Sequence, residues 1–171
     1  MTTEILICSP TRTAIGTFNG KLKNITAPTL GSLVINETLK RAGLASDKVQ
    51  GVVMGHVVQA GTGMNSARQA SIKGGVPVEV PAYTVNRVCG SGAQAIVSAY
   101  LEIVSGNIQC AVAGGMENMD QCPYLLPLAR WGYRMGEGQL IDSMLRDGLN
   151  DAFSNQHSGW HTEDLAAKYS I

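Results

Sequence analysis

The sequence predicts an α/β fold of stacked layers, and three observations carry that expectation. Short β-branched runs alternate with longer helical ones as far as Gly115. One of the helical runs is apolar over most of its circumference. At 44% hydrophobic and 15% charged residues, a chain of 171 residues has enough apolar side chains for a real core and too few charges for a disordered segment.

Taken in order, residues 4–9 (EILICS) read as a first strand and residues 10–27 as a polar connection. The stretch PTLGSLVINETLKRAG reads as a helix, with Pro28 and Thr29 at its start and Gly43 as its stop. Leu30, Leu33 and Val34 are expected to share its apolar face. VQGVVMGHVV is a strand by its β-branched content, and SARQASIKGG a short helix ending at Gly74 and Gly75. A strand over 82–88, a helix over 91–105 and a strand over 109–114 follow. In the 91–105 helix the polar residues Gln94, Ser98 and Glu102 recur every fourth position and form one narrow stripe, so the helix is expected to be buried.

Beyond Gly115 the texture changes. MENMDQCPYLLPLARWGYRMGEGQ has no clear period and reads as loop, while QLIDSMLRDGL and TEDLAAKYS read as short amphipathic helices, the second without a cap or stop signal.

Thirteen basic and thirteen acidic side chains cancel, and no basic run occurs, which argues against nucleic acid or an anionic membrane as partner. No apolar run reaches membrane-spanning length, and the N-terminus lacks the regions of a signal peptide. The expected location is the cytoplasm. There the four cysteines read as reduced thiols, and without a CxxC pair they give no metal site. Cys8 and Cys110 lie in apolar β-like runs and read as buried hydrophobes.

Cys89 differs, because it stands where the strand over 82–88 meets the helix over 91–105, followed by Gly90, Ser91 and Gly92. A helix start offers a thiolate the positive end of the macrodipole and unpaired N–H groups. The glycines allow a tight turn and a close ligand approach, and the N–H of Cys89 could face an oxyanion formed on its own acyl group. Acyl transfer through a thioester fits these features. A core cysteine in a glycine-rich turn fits them too, and local sequence leaves both readings open.

NRVCGSG, with NSARQASIKGGVPVEVPAYTVN before it and AVAGGMENM after it, resembles the N-terminal half of a thiolase, closest to the acetyl-CoA acetyltransferases. The resemblance implies a layered α/β domain over 1–117, with a mixed sheet and a buried central helix. It implies the start of a loop domain over 118–171, with the family's C-terminal catalytic domain absent. It makes Cys89 the nucleophile that accepts an acyl group from acyl-CoA, in reversible condensation to acetoacetyl-CoA or in thiolysis of 3-ketoacyl-CoA. Coenzyme A thioesters are then substrates, with no prosthetic group and no metal. Leu149, His157 and Ser158 are implied for the pantetheine and acyl pocket. Ser158 stands where the family usually has methionine, which points to a wider or wetter acyl site unless Trp160 refills it. Asp120 stands where a serine is common.

The bases are the gap in this picture. His56 reads as a satisfied structural histidine, His157 as pocket wall, and His161 as exposed. The family's Gly-His-Pro, Cys-x-Gly and Asn-Glu-Ala-Phe motifs do not occur here. The expectation is therefore a chain without turnover alone. It would be half of a split enzyme or a piece of a longer one, completed by a C-terminal thiolase chain in a homo- or hetero-oligomer. A structural, non-catalytic thiolase-like subunit is the alternative.

Overall fold

The computed structural model describes residues 4–171, so the first three residues of the expected 1–117 domain lie outside it. The chain divides into two compact units, one running to Gln121 and the other spanning Cys122–Ile171.

In the first unit, β1 (Gly51–Gly55) is the middle strand of a three-stranded sheet, flanked by β2 (Ala82–Val85) and β3 (Ala111–Gly115). All pairings are parallel, in the register Val52 to Ala82 and Val52 to Val112. The layered α/β architecture is as expected, but the sheet is not mixed among the described residues. Antiparallel pairing among the described residues belongs to the second unit, in the ribbon of β4 (Tyr124–Leu125) and β5 (Ile141–Asp142) and in an isolated bridge between Asn150 and His157.

Every residue of β1 is buried, because both sheet faces are covered. Val52 and Met54 point into a core shared with α1 (Ala27–Ala42) and α2 (Ser66–Lys73). Val53 points the other way, against Ala95 and Ala99 of α3 (Ser91–Val104).

The ends of α1 are as the sequence predicts, with Pro28 in its first turn and Gly43 in the left-handed region at φ 60°. Its buried face differs. Pro28, Gly31, Ser32, Ile35 and Leu39 are inside, and Leu33 is exposed. Gly31 lies against Ala70 of α2 and against Met116, so the helix packs through its small residues and turns Leu33 outward.

Residues 4–9 do not form the expected strand. They line an apolar cleft of about 670 Å3 together with β3 and α3, and they join no ladder among the described residues. The segment is held at Ser9, whose carbonyl accepts a hydrogen bond from Thr38 Oγ1 at 3.2 Å. Leu6, Ile7 and Cys8 are consequently exposed, and Cys8 is not the buried hydrophobe expected. Cys110 is partly buried, and burial first, then the nearby Cys8, pushes its thiol up from the ordinary range.

The expected burial of the helix over 91–105 is also only half right. Ser91, Ala95 and Ala99 sit on the sheet, while Ile96, Val97, Tyr100, Leu101 and Val104 form an uncovered apolar face.

In the second unit, the stretch read as one amphipathic helix splits into β5 and a short π-helical turn, Met144–Leu149. The last helix is α4 (Ser158–Tyr169), and it does carry a cap: Ser170 takes the left-handed conformation at φ 56°.

Candidate active site

The strand expected over 82–88 ends at Val85, and residues 86–90 form a tight turn into α3. An asparagine at the start of such a turn can bond the backbone two residues on, and Asn86 does so. The Val88 N–H donates to Asn86 Oδ1 at 2.9 Å, while Asn86 Nδ2 donates to the Val57 carbonyl at 3.2 Å. Val88 lies at φ 50°, a left-handed conformation that a β-branched side chain rarely adopts. Its carbonyl accepts from Ser91 Oγ at 2.6 Å and from the Ser91 N–H at 3.0 Å. Ser91 Oγ in turn accepts the Arg87 N–H at 2.8 Å.

This turn presents Cys89 with its thiol exposed, one residue before Gly90, the N-cap of α3. Gly90 has φ −85°, open to any residue, so the strain falls on Val88 and not on the glycine that the sequence reading put in that role. Arg87 Nη1 donates to Gln94 Oε1 at 2.8 Å, tying the turn to the first turn of the helix and using one residue of the polar stripe.

Behind the turn lies a polar relay centred on a buried histidine. His56 is 1% exposed, with Nδ1 2.9 Å from Ser66 Oγ and Nε2 3.3 Å from Glu117 Oε1. A carboxylate only accepts, so the facing Nε2 carries the proton. Glu117 Oε2 also accepts the Val57 N–H at 2.8 Å, and Oε1 the Val58 N–H at 3.4 Å. Both ring nitrogens of His56 are thus engaged, in line with its reading as a structural histidine. Asp120, for which the sequence suggested no role, accepts the Asn19 N–H at 2.5 Å and fastens the long connection before α1.

The other expected site residues belong to the second unit. Leu149 is half-buried at the end of the π-helical turn. His157 is the N-cap of α4, its Nδ1 accepting the Gly159 N–H at 2.9 Å, and Ser158 is the first helical residue; both are exposed. His161 is half-buried and not exposed as expected, since Ser154 Oγ lies 2.9 Å from its Nε2 and Trp160 packs edge-on at 5.2 Å. Ser154 also binds Asp151, donating from its N–H at 2.7 Å and its Oγ at 2.8 Å. These bonds, the backbone one first, hold the Asp151 carboxyl below the usual range.

Among the described residues, no group of three or more His, Cys, Asp or Glu side chains could hold a metal ion, and no helix is long and apolar enough to cross a membrane.

Sequence reasoning missed Asn86, Val88, Ser91 and Glu117 as site-building residues. Asn86 alone carried a local signal, an asparagine two residues before a turn position. The contact of Glu117 with Val57 spans a separation in sequence that no local pattern reports.

A family model described as "Thiolase, N-terminal domain" matches residues 5–171. The acetyl-CoA acetyltransferase of Cupriavidus necator is 47% identical over 169 residues, covering 99% of this chain and 43% of that protein. The acetyl-CoA acetyltransferase of Pseudomonas aeruginosa is 49% identical over 168 residues, with 98% and 43% covered. A probable acetyl-CoA acyltransferase of Staphylococcus aureus is 45% identical over 169 residues, with 99% and 43% covered. The chain therefore spans less than half the length of the curated relatives it matches.

Proposed function

The chain belongs to the thiolase family as its N-terminal domain, and we propose that it supplies the nucleophile of an acetyl-CoA acetyltransferase through Cys89. The observation that carries this reading is the turn itself: an exposed thiol placed just ahead of a helix by a left-handed Val88 that Asn86 and Ser91 hold in place. Backbone strain of this kind costs about 1–3 kcal/mol and persists where the surroundings over-determine it.

In the proposed reaction, Cys89 Sγ attacks the carbonyl carbon of an acyl-CoA. The carbon–sulfur bond to coenzyme A breaks, and the released thiolate takes up the cysteine proton. A second acyl-CoA loses its α-proton to a base, and its carbanion attacks the acyl-cysteine. Cys89 leaves as thiolate and 3-ketoacyl-CoA is formed; thiolysis is the reverse. The Cys89 N–H is the proposed oxyanion donor. The bases are proposed to come from a C-terminal thiolase portion, present as a separate chain or as a continuation of this one. The uncovered face of α3 and the cleft beside β3 favour such a cover. Leu149, His157 and Ser158 are proposed for the pantetheine and acyl pocket, the assembly as a homo- or hetero-oligomer, and the cytoplasm as its location.

The test is labelling with radioactive acetyl-CoA of the chain combined with the C-terminal portion. One acetyl group per chain, mapped to Cys89 and lost in Cys89→Ser, is expected. An inert Cys89 in a complex that still assembles would instead favour a structural subunit. The chain without that portion is expected to show no turnover with acetoacetyl-CoA and coenzyme A, and robust activity would overturn the need for it. Comparing acetoacetyl-CoA with longer 3-ketoacyl-CoAs tests Ser158. Acceptance of longer chains is expected, and strict preference for four carbons would count against a widened pocket.

A further inference from the structure

We infer that Asn86 is a positioning residue for the acyl-transfer step, setting the reactivity of Cys89 through Val88 and taking its own reference from Glu117 and the buried His56. This rests on the reading of Cys89 as nucleophile.

The backbone of Val57 is held from both sides. Its N–H is taken by the Glu117 carboxylate at 2.8 Å, and its carbonyl by Asn86 Nδ2 at 3.2 Å. Glu117 is itself fixed by His56, and His56 by Ser66. The other end of the Asn86 amide accepts the Val88 N–H at 2.9 Å. Position 86 therefore needs a donor and an acceptor on one short planar group. Asparagine has both, aspartate has only the acceptor, and alanine has neither.

Val88 is the residue that must be held, because a left-handed β-branched conformation relaxes when its partners are removed. Its carbonyl is fixed by Ser91, within the helix start. Among the described residues, its N–H is fixed by Asn86 alone. If that hold is lost, the peptide between Arg87 and Val88 can rotate, Val88 can leave the left-handed region, and the thiol that follows it leaves its place at the head of α3. An aspartate at 86 has a second consequence, since it sets a negative charge three residues from the sulfur, which opposes the thiolate.

The experiment measures the rate at which iodoacetamide alkylates Cys89, by peptide mapping across a pH series, in the chain combined with the C-terminal portion. Exposed Cys8 and partly buried Cys110 serve as internal controls. In Asn86→Ala, the Cys89 rate is expected to fall roughly tenfold while the controls stay unchanged. In Asn86→Asp, which keeps the shape and the Val88 contact should the alanine variant not fold, the pH at half-maximal rate is expected to rise. A purely structural residue would lower the melting temperature without changing the Cys89 rate in Asn86→Ala or its plateau rate at high pH in Asn86→Asp. A Cys89 rate in Asn86→Ala and a plateau rate in Asn86→Asp equal to wild type would overturn the inference alone. A wild-type Cys89 no faster than Cys8 would overturn the nucleophile reading and this inference together.

Discussion

Gly55 at the end of β1 and Ser91 at the start of α3 pack backbone against backbone. A Cβ built on Gly55 would sit 2.5 Å from the Ser91 carbonyl carbon and 2.7 Å from the Gly92 nitrogen. Neither of those atoms is the far end of a flexible side chain, so the helix start itself would have to move. Gly55→Ala is expected to cost about 1–3 kcal/mol of unfolding free energy, the usual range for overpacking, and to slow alkylation of Cys89. Urea unfolding checks the first effect, and an unchanged midpoint would contradict the close approach.

The face that α1 buries can be tested by a pair of substitutions. Ile35 is 1% exposed and Leu33 is 56% exposed. Ile35→Ala is expected to destabilise by about 2–5 kcal/mol, whereas Leu33→Ala is expected to stay within about 0.5 kcal/mol. Equal losses in denaturant melts would show that the sequence pattern, with Leu33 inward, describes the helix better.

The outer face of α3 is predicted to be where the C-terminal portion docks. Leu101 is 56% exposed there, and covering such a side chain is worth about 1.5–3 kcal/mol. Leu101→Lys should leave the circular-dichroism melt of this chain unchanged. It should weaken association with a separately produced C-terminal portion by about tenfold or more. Titration calorimetry gives the comparison, and equal affinities would move the docking surface elsewhere.

Asp151 supplies a pH dependence in the second unit. Its folded-state carboxyl is held below the usual range, first by the Ser154 N–H. The contribution of this turn is therefore fully present above the ordinary aspartate titration. It is lost as pH falls through the lower folded-state value. The Ser154 amide resonance, followed by NMR, should shift only below the usual carboxylate range, and Asp151→Asn should abolish the shift. A midpoint at or above that range would remove the proposed hold.

The sequence made the alternation of β1, α2, β2, α3 and β3 legible because each element has a local period and a local stop, such as Gly43 after α1. It also singled out Cys89, through a motif that spans a strand end and a helix start. What it could not report were effects set by distant neighbours. Leu33 faces outward because Gly31 fits against α2, and α3 stays half uncovered, with Val97 48% and Leu101 56% exposed. Residues 4–9 have the composition of a strand, but a strand also needs a partner edge, and a cleft separates them from β3. The strain at Val88 was hidden for a similar reason: glycine is the usual resident of the left-handed region, so attention fell on Gly90 and Gly92.

The central place of β1 also governs when this unit can fold. Its two neighbours follow it in the chain, β2 first and β3 only after α3, and Val52 is opposite both Ala82 and Val112. During synthesis the most apolar strand emerges well before the second strand that flanks it. Until Gly115 has left the ribosome, one edge of β1 stays unpaired, and contacts so distant in sequence form slowly. The nascent chain thus carries an open strand edge through much of its synthesis, the stage at which a chaperone would have most to protect.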